Sequence, residues 1–176
     1  MAGKEQKSRG KRVGGTHVRL NCRDCIIKKV VFKVGSKNKE IQFRTRRQVG
    51  GYRVSESTTA IKITAEPSIP GCKCTWDDRI NVEFIRIHTG LANQTREQLF
   101  KMPQLVETRR TRISKQPNYL TVNRCTLTIK IKSINQALRN GNIKGAQFNL
   151  KAVPTRIGVR VRCNGKWRTL LIVITD

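Results

Sequence analysis

Between Thr108 and Thr175 the chain contains no aspartate or glutamate, and apolar residues alternate with basic ones over much of this stretch. The alternation is clearest in Thr-Leu-Thr-Ile-Lys-Ile-Lys (126–132) and in Gly-Val-Arg-Val-Arg-Cys (158–163). A period of two is typical of a β-strand with one buried face, and it puts the basic side chains on the opposite face. The pattern therefore predicts a sheet with an apolar inner side and a strongly positive outer side, shared by Lys130, Lys132, Arg160 and Arg162.

Short alternating segments also recur outside this stretch, separated by turn residues. Two short loop helices are predicted from capping-box spacing, one after Thr95 and one from Ser133 to Gly141. Asn164-Gly165 predicts a β-hairpin with positive φ at both residues. About nine or ten strands at this density are typical of an all-β sandwich or barrel. The clearest strand segments are 26–34, 40–46, 59–65, 79–88, 119–122, 124–134, 146–153, 156–163 and 167–175.

The formal net charge of +26 opposes compaction unless a counter-charge is present, and nucleic acid is the commonest such partner. The charge is divided along the chain. Residues 1–53 carry a net +13, residues 54–108 a net −1, and residues 109–176 a net +14. We expect the two basic zones to face nucleic acid and the neutral middle to face something uncharged.

The first 19 residues are predicted to form a flexible basic arm, followed by one β domain from 20 to 176. The arm is rich in glycine and lysine and carries too few apolar side chains to fold by itself. It shows neither a secretory signal nor a membrane span, so we expect no membrane partner. The residues predicted to contact phosphate are Lys4, Lys7, Arg9, Lys11, Arg12 and Arg19 in the arm, Arg44, Arg46 and Arg47, and an irregular segment with Arg109, Arg110, Arg112 and Lys115.

No catalytic residues are predicted, so the chain is not expected to be an enzyme or to bind a small-molecule substrate. Its two histidines, His17 and His88, are interpreted as surface residues. The adjacent Asp77 and Asp78 do not suit an acid–base pair, because neighbours on a strand point to opposite faces. A salt bridge at a turn or an interface is the favoured role for these two carboxylates.

The six cysteines are interpreted mainly as free thiols, and no cofactor is expected. One alternative is zinc held by Cys22, Cys25, Cys72 and Cys74, since a CxxC pair is a common half-site for this metal. The other alternative is a disulfide or redox role. Against zinc, the second pair has the less usual CxC spacing. Cys125 and Cys163 lie within strand patterns and are predicted to face the core.

The basic arm of residues 1–19 followed by a β domain with small loop helices resembles the single-jelly-roll coat proteins of small icosahedral viruses, such as the satellite viruses of plants. The resemblance is one of architecture and charge layout, and no specific motif carries it. It implies an antiparallel jelly-roll sandwich that assembles into a shell of identical subunits. Its partner would be single-stranded nucleic acid, RNA rather than DNA, in the virion and in the host cytoplasm during assembly. The alternative is a basic RNA-binding protein that forms no shell, such as a ribosomal or a viral accessory protein.

Overall fold

The computed structural model describes residues 12–13, 16–17, 20–43, 49–87, 106–115, 117–139 and 151–175. They contain thirteen strands, one α-helix and one 3₁₀ turn. The strands are β1 Arg12–Val13, β2 Thr16–His17, β3 Ile27–Val34, β4 Lys37–Gln42, β5 Val49–Ser55, β6 Ala60–Pro67, β7 Thr75–Trp76, β8 Arg79–Ile87, β9 Val106–Arg112, β10 Leu120–Asn123, β11 Thr126–Lys130, β12 Lys151–Arg162 and β13 Arg168–Thr175. The 3₁₀ turn is Ile113–Lys115, and helix α1 is Ile131–Arg139.

The strands form two main sheets, which confirms the predicted all-β class. Sheet I has the order β10-β11-β6-β3-β4 and is antiparallel throughout. Sheet II has the order β5-β13-β12-β8-β9, with β7 also paired to β12. Its pairs are antiparallel except β13 with β5, which run parallel. The jelly-roll connectivity remains a prediction. In the predicted arm, β1 and β2 pair with each other, and its other residues lie outside the described part.

One hydrophobic core fills the space between the inner faces of the two sheets. In β13 every second residue is buried, from Arg168 through Leu170 and Ile172 to Ile174. Sheet I contributes Phe32, Ile61, Ile63, Leu127 and Ile129 from the other side. Because burial alternates strictly on these strands, the residues between the buried ones form the outer faces of the domain.

A bulge in β12 sets which of its residues face outward. The register against β8 shifts between Pro154 and Arg156, so Thr155 has no partner of its own. Thr155 is buried, and its hydroxyl donates to the Glu83 carboxylate at 2.9 Å. After the bulge, Ile157 and Val159 are buried and Arg156 is exposed. One inserted residue therefore aims the rest of β12 with its arginines outward.

Two local predictions are corrected by the structure. The segment predicted as strand 124–134 ends at Lys130, and α1 begins at Ile131, two residues before the predicted cap at Ser133. Ile131, Ile134 and Ala137 are buried, so α1 packs one apolar face against the core. The predicted hairpin of β12 and β13 forms, but its connection spans 163–167 and only Gly165 has positive φ. The predicted helix after Thr95 lies outside the described residues.

Candidate nucleic-acid interface

Sheet II presents a concentration of arginines on its outer face, which we call the arginine face. The alternation on β5, β8, β9 and β12 directs these side chains away from the core, and the register of neighbouring strands brings them together. At one position Arg79 lies directly opposite Arg112 across the strand pair. Two like charges so placed repel each other, a cost that suits a surface meant for an anion. The members are Arg53, Arg79, Arg110, Arg112, Arg156, Arg160 and Arg162.

An open groove of about 470 Å³ runs across the middle of the arginine face. Four of the seven arginines line it, and Gly158 and Asn81 lie at its floor between them. Gly158 has no side chain, and its Cα partner on one side is Asn81 and on the other Leu171. No side chain of Gly158 therefore fills this part of the groove, and Arg110 and Arg156 are among the residues that line it.

Each of the three carboxylates on this face is paired with one of its arginines. Asp77 accepts from Arg160 Nε at 2.8 Å. Asp78 accepts from Arg112 at 3.4 Å, and Glu83 lies 3.9 Å from Arg156. These pairs confirm the salt-bridge role predicted for the two adjacent aspartates. Seven arginines against three carboxylates leave a net charge of +4 on the face.

Hydrogen bonding holds the two aspartates in their charged form. For Asp77, burial works against ionisation, but the Arg79 backbone N–H and the Arg160 guanidinium outweigh it and lower the pKa. For Asp78, the backbone N–H of Ser114, which donates at 2.7 Å, lowers the pKa together with the Ser114 hydroxyl and Arg112. Both carboxylates are thus fixed anions that orient arginines at neutral pH.

The ion pairs of Asp77, Asp78 and Glu83 correct the expected separation in space between the neutral segment and the basic segments. Asp77, Asp78 and Glu83 belong to the neutral segment 54–108, which we expected to face away from nucleic acid. The structure instead places them among the arginines of the acid-free stretch. The neutral segment and the basic segment interleave because β8 pairs with both β9 and β12.

One aromatic ring lies on the arginine face. The Trp167 ring is 5.0 Å from the Arg160 guanidinium carbon and 4.4 Å from that of Arg162, within the range of cation–π attraction. The other described aromatic residues are buried or, for Tyr52, stacked on Phe32. In the described chain the face therefore has a single ring and no series of rings on which successive bases could stack.

The outer face of sheet I also carries basic residues, but they are lysines set among threonines. We call it the lysine–threonine face. Its carboxylates are Glu40 and Glu66, and Lys29 contacts both, at 2.9 and 3.4 Å. These contacts raise the pKa of Lys29, chiefly through Glu40, and lower the pKa of Glu40. Lys28 also contacts Glu66, at 3.7 Å. The face is formed by Lys28, Lys29, Lys33, Lys62, Lys130, Thr64, Thr121, Thr126 and Thr128 together with the two glutamates.

The predicted irregular segment after Thr108 is wrong in its structure, and its basic residues do not all lie on one face, while their contact with phosphate stays a prediction. Residues 106–112 form β9, and Lys115 ends the 3₁₀ turn that follows. Arg110 and Arg112 lie on the arginine face. Arg109 is the partner of buried Val82, so its side chain starts on the opposite side of the sheet, and one of its guanidinium nitrogens donates to the Thr108 carbonyl at 3.1 Å. Arg112 has an acidic partner, contrary to expectation.

The remaining predictions about basic residues concern the three arginines after β4, the arm, and a group of four residues expected on one sheet face. Arg44, Arg46, Arg47 and the arm lysines and arginines other than Arg12 lie outside the described residues, and the side chain of Arg12 is not described. Lys130 belongs to sheet I, Lys132 to α1, and Arg160 and Arg162 to sheet II, so these four do not share one face.

Arg168 differs from the other arginines of the acid-free stretch because it is buried. Its Nε donates to the Ile27 carbonyl at 3.1 Å, and its guanidinium lies over the Phe43 ring. Burial lowers the pKa of this arginine. It therefore serves the core and not the surface.

Sequence reasoning missed Arg53, Arg79 and Arg156 as members of the surface. The signal that could have found them is the strand alternation itself, because each arginine directly precedes a buried residue such as Val54 or Ile80. Counting clusters along the chain selects runs of arginine, whereas a sheet face collects single arginines from several strands.

The expectation that the cysteines are mainly free thiols is wrong, because four of the six form disulfides. Cys22 is bonded to Cys72, and Cys74 to Cys125. Cys25 and Cys163 are free and buried, which confirms the core position predicted for Cys163. Cys74 is therefore separated from the other three members of the predicted zinc set, and the sulfurs of Cys25, Cys72 and Cys163 lie within 4.8 Å of one another.

Comparison of the chain with known protein families, with curated proteins and with solved structures gives no match. Among the described residues, no helix is long and apolar enough to cross a membrane.

Proposed function

We propose that this chain is the coat protein of a small icosahedral shell of identical subunits, and that the arginine face contacts the phosphates of packaged single-stranded nucleic acid. RNA is the favoured partner, and the virion and the host cytoplasm are the expected locations. The hairpins β3–β4, β8–β9 and β12–β13 each stay within one sheet. The proposal therefore rests on the charge of the face and on the resemblance in architecture, and it does not require every strand to follow the jelly-roll order.

The observation that carries the proposal is the excess of arginine over acid on one sheet face. Arg53, Arg79 and Arg110 form no ion pair within the described part of the chain, so their charge is available to a ligand. The guanidinium group presents several N–H donors in a planar fork, which matches the oxygens of a phosphate. Because these side chains project from paired strands, their spacing is set by the sheet.

Binding of this kind follows from counterion release. Each phosphate that an arginine neutralises frees a condensed cation, so affinity is high at low salt and falls steeply as salt is added. Phosphate contacts carry no base information, and Trp167 alone on the face offers little stacking. We therefore expect weak sequence preference, which suits a protein that must cover a whole genome.

The experiment that tests the proposal is expression of the full chain followed by electron microscopy and light scattering. Uniform closed particles that protect single-stranded RNA from nuclease are the expected result. Disassembly above a threshold salt concentration should accompany release of the RNA. A chain that stays monomeric or dimeric under all conditions, with or without RNA, would rule out the shell.

The second candidate is an RNA-binding protein that forms no shell. It is favoured by the same arginine face, since neutralising phosphates requires no assembly. In that case a monomer or dimer would bind RNA with the same salt dependence and would give no particles. Tight binding confined to one short sequence, or binding that survives high salt, would contradict the shell protein.

A further inference from the structure

Four cysteines converge at one end of the β domain. Cys22 and Cys25 precede β3, Cys72 follows β6, and Cys163 follows the last residue of β12. The sulfurs of Cys25, Cys72 and Cys163 lie within 4.8 Å of one another, and the sulfur of Cys22 is bonded to that of Cys72. Three separate parts of the chain thus deliver four sulfur atoms to one place.

The loops that carry these sulfurs are held by backbone hydrogen bonds that do not depend on the disulfide. The Cys25 N–H donates to the Cys22 carbonyl at 3.1 Å, which closes the CxxC segment into a turn. The Cys72 N–H donates to Ile69 at 3.2 Å after a glycine with positive φ. The Asn164 N–H donates to the Cys25 carbonyl at 3.0 Å and joins two of the loops. The backbone is therefore already arranged around the four sulfurs.

The surroundings shield the four sulfurs from water. Cys25 is fully buried, and the other three cysteines are at most 8% exposed. The Ser68 hydroxyl lies 3.8 Å from the Cys25 sulfur and can donate to it. Hydrogen bonds of this kind orient metal ligands and stabilise thiolate charge. Basic residues flank three of the cysteines in sequence, namely Arg23, Lys73 and Arg162.

We propose that the reduced chain binds one Zn²⁺ through Cys22, Cys25, Cys72 and Cys163. Zinc prefers four ligands in a tetrahedron with Zn–S distances of about 2.3 Å, which places the sulfurs about 3.8 Å apart. The cluster needs only small changes to reach this spacing. The Cα atoms of Cys22 and Cys72 are 5.9 Å apart, so rotation of their side chains separates the two sulfurs. The site keeps three cysteines of the set predicted from sequence and replaces Cys74 with Cys163.

The chemistry balances in two steps. A dithiol reductant gives two electrons and two protons to the Cys22–Cys72 disulfide, which becomes two thiols, and the reductant leaves as its own disulfide. Zn²⁺ then displaces one proton from each of the four thiols and forms four Zn–S bonds.

A metal at this point would tie the start of the β domain to its last hairpin. Cys22 lies three residues after the end of the predicted arm at residue 19, and Cys163 begins the connection between β12 and β13. Structural zinc of this kind adds directly to folding free energy. The site is independent of the arginine face and does not depend on shell assembly.

The first test uses the full chain, purified with a thiol reductant and freed of metal with a chelator. Added Zn²⁺ is expected to bind at one ion per chain, and Co²⁺ in its place should give the absorption of a tetrahedral tetrathiolate. The variant Cys163→Ser should weaken zinc binding by more than the roughly 10–100-fold typical of changes outside the ligand shell. The control Cys74→Ser/Cys125→Ser should keep the metal. Absence of zinc in the reduced chain, or loss in the control and not in Cys163→Ser, would overturn the site.

A second test works on the unmodified chain and remains decisive if Cys163→Ser does not fold. The reduced protein is treated with an alkylating reagent with and without zinc, and each cysteine is assigned by mass spectrometry. Zinc should protect Cys22, Cys25, Cys72 and Cys163, while Cys74 and Cys125 react at the same rate in both samples. Equal labelling of Cys163 with and without zinc would exclude it as a ligand.

Discussion

The two outer faces of the domain arise from the same alternation but carry different charge chemistry. The arginine face of sheet II has seven arginines and three carboxylates, a net of +4. The lysine–threonine face of sheet I, with Lys28 included, has five lysines and two glutamates, a net of +3. Each face also accepts one pair of like charges directly opposite each other, Arg79 with Arg112 and Lys33 with Lys62.

The difference lies in how the acids are used. On sheet I both glutamates contact Lys29, and Glu66 also contacts Lys28 at 3.7 Å, so the acids gather around two adjacent lysines. Within the described residues, Lys33, Lys62 and Lys130 form no ion pair. On sheet II each acid holds a different arginine, which restricts the guanidinium without removing the positive excess. A lysine is a flexible point charge, whereas an ordered arginine presents a fixed fork. We infer that sheet II is the face arranged for phosphate and that sheet I is a solvated surface.

The largest expected effect follows from neutralising the three arginines of the arginine face for which the described residues offer no ion pair. The variant Arg53→Gln/Arg79→Gln/Arg110→Gln should lower the affinity for single-stranded RNA roughly 100-fold at low salt, because each lost contact is worth about 1 kcal/mol. The slope of log affinity against log salt should decrease by about 2, since each contact contributes about 0.7. Fluorescence anisotropy over a salt series measures both quantities.

The matched control is Lys33→Gln/Lys62→Gln/Lys130→Gln, which removes the same charge from the lysine–threonine face. It should lower the affinity much less than the arginine variant. Equal losses in the two variants would show that only net charge matters and would remove the distinction between the faces. Thermal unfolding of both variants checks that neither has lost its fold.

A smaller effect is expected on folding stability when the pH is lowered, and it should differ between the two faces. The pKa values of Asp77 and Asp78 are lowered in the folded chain from an ordinary 3.8, and that of Glu40 from 4.5. A carboxylate with a lowered pKa stabilises the fold above its unfolded pKa, and this contribution is lost as pH falls through the folded value. Stability should therefore decrease below about pH 4.5, first through Glu40 and then through the two aspartates.

Thermal unfolding between about pH 2 and pH 6 measures this dependence. In Asp77→Asn/Asp78→Asn the decrease below about pH 4 should be shallower than in the unmodified chain, and in Glu40→Gln the shallower part should begin at higher pH. Unchanged curves in both variants would mean that these pairs contribute nothing to folding, as holds for many exposed ion pairs.

The smallest effect is expected at Trp167. The ring holds Arg160 and Arg162 by cation–π attraction, worth about 0.5–1 kcal/mol at an exposed site. Trp167→Ala should therefore reduce RNA affinity about 2–5-fold, with little change in the salt slope because no charge is lost. Trp167→Phe should recover part of the loss. A change in slope as large as that of the arginine triple variant would mean that the ring does more than order its neighbours.

Much of the fold could be predicted from the sequence wherever apolar residues occur at every second position of a strand. Strands 79–87 and 168–175 agree closely with the predicted 79–88 and 167–175, because their buried residues alternate without interruption. The segment 126–134 was harder, since Ile129, Ile131 and Ile134 suit either a strand or a helix. Tertiary packing decides it: the helix buries Ile131, Ile134 and Ala137 on one side.

For the candidate site, the sequence predicted the type of partner but not which residues share a face. Composition indicated a polyanion partner, but the faces depend on strand order, which pairs β8 with β9 and β12 and so mixes acids of one segment with arginines of another. The bulge at Thr155, which orients Arg156, has no marker in the alternation. Cys163 joins the sulfur cluster beside Asn164, whose side-chain amide donates to the Cys22 carbonyl 142 residues away in sequence, and no local spacing reports this contact.

The parallel pairing of β5 with β13 has a consequence for synthesis on the ribosome. In the described part of the chain β13 is the one strand that pairs with β5, and the partnered residues Val49 and Thr169 are about 120 positions apart. β13 also separates β5 from the rest of sheet II. Until β13 has left the exit tunnel, β5 has no place in the sheet, and Arg53 cannot join the other arginines. The arginine face is thus completed only after β13 has been synthesised, which delays any contact of a polyanion with the whole face until that point.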